Sequence, residues 1–69
     1  MSAADVHVLP LEHGWELRRD GYKYPTSRHA TQRSAIRLAR QLADESGSKV
    51  IVHHIDGQIR LESEITTDP

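Results

Sequence analysis

Five histidines, His7, His13, His29, His53 and His54, are the side chains best suited to chemistry, because imidazole titrates near neutrality and ligates transition metals. Their spacing argues against a preformed metal centre. His53 and His54 are neighbours that point to opposite faces of a strand, and no two histidines stand four apart, where a helix would join them. One long-range pair remains, His7 and His53, which can meet across strands on one face of a sheet. No metal and no cofactor are expected. Ser27, Ser34, Ser46 and Ser48 fall at caps or turns, where hydroxyls serve the backbone. The carboxylates of Asp44, Glu45, Glu62 and Glu64 suit solvated faces, and a chain of 69 residues has little room to enclose a pocket. The expectation is a protein that is not an enzyme.

A second constellation is basic and aromatic. Tyr22 and Tyr24 interleave with Lys23 and Arg28, and Arg33, Arg37 and Arg40 follow, so the middle of the chain is locally cationic while both ends are acidic. Rings that stack bases beside groups that neutralise phosphates are the ingredients of a nucleic-acid-binding module. That reading requires these side chains to form one patch, since nine basic and ten acidic residues leave a net charge of −1 and no global field.

The elements that must position these groups are short. Thr31 to Gly47 is the one long periodic stretch, with Ala35, Ala39, Leu42 and Ala43 on one stripe and Ile36 and Leu38 beside it. It predicts a single α-helix with Thr31 as N-cap and Gly47 as the left-handed stop. Arg33, Arg37, Arg40, Gln41 and Asp44 take its wet face. Three inward alanines allow close approach to a sheet. Val6 to Leu9 alternates and is expected to end at Pro10. Trp15 to Arg18 alternates again and should pair with it as a hairpin. Tyr22 to Thr26 is expected as a short, irregular third strand restricted by Pro25, with Ser27 to Ala30 leading to the helix. Val50-Ile51-Val52 is a β-branched run, and Asp56-Gly57 separates it from the alternating Gln58 to Glu62, which predicts a second hairpin.

The expected fold is therefore α+β: a small antiparallel sheet of four to five strands with one helix packed on one face, in the order β-β-(β)-α-β-β. Val6, Val8, Trp15, Leu17, Val50, Val52, Ile59 and Leu61 are expected to face the helix. His7, Leu9, Glu16, Arg18, Ile51, His53, Gln58 and Arg60 are expected on the outer face. Residues 5–62 should form a single domain, with 1–4 disordered and 63–69 a frayed tail. Without cysteine the chain has no disulfide to support its small core, so self-association through the outer face around Leu9, Ile51, His7 and His53 is expected, most simply as a homodimer. No stretch approaches the ~20 apolar residues of a membrane helix, and no basic-then-apolar leader stands at the N-terminus. A cytoplasmic protein that does not engage a membrane is the expectation. The leading functional reading is a non-catalytic interaction module, with nucleic-acid binding as the alternative.

In order along the chain, the His7-Val8-Leu9-Pro10 start, Gly14-Trp15, a basic residue and glycine around Arg19 to Gly21, Thr31-Gln32 ahead of Ala35-Ile36 and Ala39-Arg40, and Val52-His53 followed by Asp56-Gly57-Gln58-Ile59 resemble the small bacterial family known as domain of unknown function 2188. The resemblance runs from Val6 to about Glu62, while Tyr22-Lys23-Tyr24-Pro25 departs from the family's usual pattern. It implies a compact helix-on-sheet domain and carries over no catalytic residue.

Overall fold

The structure, a computed structural model, describes residues 4–61, the side chains of residues 60 and 61 excepted. The expected tail at 63–69 lies outside these residues. Strands β1 (Val6–Leu11), β2 (Gly14–Arg19) and β3 (Ser27–His29) precede helix α1 (Gln32–Ser46), and β4 (Val50–His53) and β5 (Ile59–Leu61) follow it. The strands form one sheet in the order β3-β2-β1-β4-β5, with α1 packed on one face. The domain is α+β, as the periodicities imply.

The helix begins where Thr31, in extended conformation, accepts a hydrogen bond from the Ser34 backbone N–H at 3.1 Å. It stops at Gly47, whose φ of 70° turns the chain left-handed while the N–H groups of Gly47 and Ser48 donate back to the Ala43 carbonyl. Ala35, Ile36, Ala39 and Ala43 are buried against Val6, Val8, Leu17, Val50 and Val52. The small helix residues let the axis lie close to the sheet, so β-branched and leucine side chains from the strands provide most of the core volume. Trp15, Leu38 and Leu42 pack around this core without being fully enclosed.

Four features differ from the expectations. The sheet is mixed: β1 and β2 are antiparallel, as are β2 and β3 and β4 and β5, but β1 and β4 run parallel with Val6, His7 and Val8 opposite Val50, Ile51 and Val52. The reason is the crossover. β3 is antiparallel to β2 and so has the direction of β1, and a 15-residue helix carries the chain back about 22 Å to start β4 in that same direction. Second, Pro10 does not end β1, which continues to Leu11. The β4 ladder stops at Val8, so from there β1 has an open side where a proline is tolerated. Third, the third strand is Ser27–His29, one segment later than Tyr22 to Thr26. Its residues pair with Leu17, Glu16 and Trp15, and Thr26 N–H donates to the Leu17 carbonyl at 2.8 Å.

The fourth difference matters most for the site. In the β4–β5 hairpin, His53 stands opposite Ile59 and Ile51 opposite Leu61. Paired residues share a face, so Ile59 belongs to the side away from the helix, and the register sets Arg60 opposite the inward Val52. The turn accounts for this. Gly57 N–H donates to the His54 carbonyl, His54 N–H to the Gln58 carbonyl and Gln58 N–H to Asp56 Oδ1, a five-residue loop whose closure displaces the pairing by one from the placement that alternation alone suggests.

Candidate functional site

β1 and β4 being parallel neighbours puts His7 beside Ile51 and therefore diagonally next to His53 on the outer face. The two imidazoles meet: His7 Nδ1 and His53 Nε2 are 2.9 Å apart, with ring centroids separated by 5.1 Å and planes tilted by 41°. The other His7 nitrogen, Nε2, lies 2.7 Å from Asp20 Oδ1. Asp20 reaches that position because β2 ends at Arg19, opposite Val6, and the Asp20 N–H is tied to the Asp5 carbonyl at 3.2 Å. An ionised carboxylate only accepts, so His7 donates from Nε2; in the neutral His7 ring Nδ1 is then bare and accepts the Nε2–H of His53. The result is a hydrogen-bonded chain, Asp20 to His7 to His53. Burial, and then the neighbouring His7, lower the pKa of His53, which favours its neutral form.

This chain lines an open pocket of about 280 Å³ bounded also by Leu9, Arg18, Arg19 and Tyr22. Arg18, opposite His7 on β2, directs its Nε to Glu16 Oε2. Glu16 is buried on this outer face, across from Leu9 on one side and Arg28 on the other. The rest of the face is apolar: Leu9 and Ile51 are half-buried, and Ile59 is 62% exposed beside His53. The four residues expected to mediate self-association, Leu9, Ile51, His7 and His53, thus share one surface. Of the remaining histidines, His29 is engaged by Ser27 at 2.8 Å and Ser34 at 3.1 Å, and His13 is exposed near Glu12. His54 borders a second open pocket with Trp15, Gln32, Ile55 and Asp56.

The basic and aromatic residues do not form one patch. Tyr22 and Tyr24 are exposed in the loop before β3, with Arg19 over the first ring at 5.3 Å and Lys23 over the second at 5.7 Å. Arg28 is opposite Glu16 and so occupies the outer sheet face. Arg33, Arg37 and Arg40 lie on the exposed side of α1, beyond the opposite face of the sheet, and Asp44 and Glu45 follow them. Followed by Gly21, Asp20 reads in the sequence only as a turn residue. Its second role depends on β2 ending beside the start of β1, which the antiparallel register supplies.

No solved structure matches the chain. A curated relative, the uncharacterized protein YdaT of Bacillus subtilis strain 168, is 33% identical over 54 residues. That match takes in 78% of this chain and 36% of YdaT, so the chain spans about a third of the length of that relative. The profile of the family described as an uncharacterized protein conserved in bacteria, domain of unknown function 2188, matches residues 6–65, and the chain belongs to that family.

Proposed function

We propose that this domain is a non-catalytic interaction module that self-associates through the sheet face turned away from α1. The observation behind this reading is the β4–β5 register, which adds Ile59 to the face that already carries Leu9 and Ile51. A cysteine-free domain with so small a core gains from covering that surface, at about 25 cal/mol per Å² of apolar area before association entropy is subtracted. A second copy meeting it about a two-fold axis is the simplest cover. The nucleic-acid reading has the exposed Tyr22 and Tyr24 rings in its favour, but the division of Arg28 from Arg33 and Arg37 between two faces weakens it.

Size-exclusion chromatography with light scattering tests the proposal. A dimer is expected at about 100 μM, and Ile51→Lys should convert it to a folded monomer, because two ammonium groups would meet near the axis. A wild-type monomer at that concentration would refute self-association and leave the face to a different partner.

A further inference from the structure

The Asp20 to His7 to His53 chain has the layout of a partly assembled metal site. We propose that His7 Nδ1 and His53 Nε2 together bind a divalent transition ion of the zinc, nickel and copper class, with Asp20 fixing His7 from behind. Three geometric facts lead there. The two donor nitrogens come from adjacent strands and are already 2.9 Å apart. With metal–nitrogen bonds of about 2.05 Å, two imidazoles on a square-planar ion stand about 2.9 Å apart and on a tetrahedral ion about 3.3 Å, so chelation requires the rings to reorient with little strand movement. Asp20 accepts from His7 Nε2 at 2.7 Å, the carboxylate–histidine arrangement that selects the tautomer with its lone pair on the metal-facing nitrogen. In the single chain the pair also borders an open pocket, so an ion has a path in before a second copy covers this face.

Proton accounting is simple. In the free protein the proton between the rings sits on His53 Nε2. Binding requires the neutral His53 to carry it on Nδ1 instead, so the tautomer changes and no net proton is released from the neutral pair. Of the two nearby cations, Arg18 is bound to Glu16 and Arg19 stacks on Tyr22. Among the described residues no third histidine, cysteine or carboxylate completes a metal cluster. The ion therefore keeps open positions for water or for donors from another molecule, which makes this an exchangeable site and not a structural one.

Zinc alone, titrated into the full chain at neutral pH by calorimetry, should bind one ion per chain, and His53→Gln should abolish that binding. Asp20→Asn should weaken it by about tenfold or more through loss of tautomer control. In parallel, side-chain nitrogen NMR of the wild-type protein should show the His7 Nδ1 and His53 Nε2 resonances moving together with zinc while those of His13 stay in place. This second measurement holds even if a variant fails to fold. Zinc that leaves both resonances unmoved, or binding retained at wild-type strength by a folded His53→Gln protein, would overturn the proposal.

Discussion

Replacing Gly14 by alanine should damage this domain far more than its place at the start of β2, just after a two-residue hairpin turn, suggests. Gly14 has φ of 125°, a conformation open to glycine and strained for other residues, at a cost of about 1–3 kcal/mol. A Cβ added there would stand 2.5 Å from the His29 carbonyl oxygen. That oxygen belongs to β3, whose His29 pairs with Trp15, so relief must come from backbone movement in the β2–β3 ladder or in the lead-in to α1. Gly47 provides the control. Its φ of 70° is also positive, but an added Cβ meets nothing within 4 Å, so Gly47→Ala should cost only about 1 kcal/mol, the left-handed penalty alone. Gly14→Ala should cost about 3 kcal/mol or more, a large share of the ~5 kcal/mol at the lower end of native stabilities. Urea unfolding followed by Trp15 fluorescence, with thermal melts by circular dichroism, measures both variants, at about 4–8 °C per kcal/mol for a domain of this size. If the two variants lie within about 0.5 kcal/mol of each other, the close approach of Gly14 to β3 is refuted.

Leu17 is the largest fully buried side chain, and Leu17→Ala should cost about 2–5 kcal/mol; Trp15, only partly enclosed, should cost less when truncated, and the reverse order in urea titrations would contradict the packing described. Thr31→Ala removes the acceptor for the Ser34 N–H and should lower stability by about 1 kcal/mol, read as a shift of the unfolding midpoint with unchanged denaturant slope. The pKa of His53 is lowered from 6.5 on folding, so the unfolded chain binds its proton more tightly. Its contribution to stability is thus fully present above pH 6.5 and is lost as pH falls through the lower folded value. In chelator-treated protein, His53→Gln should flatten that acid-side decline, and an unchanged slope would show that His53 is not its source.

The elements that local chemistry controls can be read directly along the chain. Thr31 and Gly47 mark the helix ends because capping is a property of a few adjacent residues. The inward stripe of Ala35, Ile36, Ala39 and Ala43, and the alternation of Val6 with Val8 and of Val50 with Val52, follow from periods of 3.6 and 2 that burial on one face imposes. Tertiary structure decided what lies between elements. The parallel pairing of β1 with β4 arises from the crossover length of α1 and the direction of β3, neither of which shows in the strand's own residues. Ile59 alternates equally well in either register, and only closure of the His54 to Gln58 turn puts it beside His53 on the outer face. His7 and His53 could be matched as a pair from alternation once their strands were taken as neighbours. Asp20 could not, because its carboxylate reaches His7 through the antiparallel register of β1 and β2, a relation between strands that no short window of sequence contains.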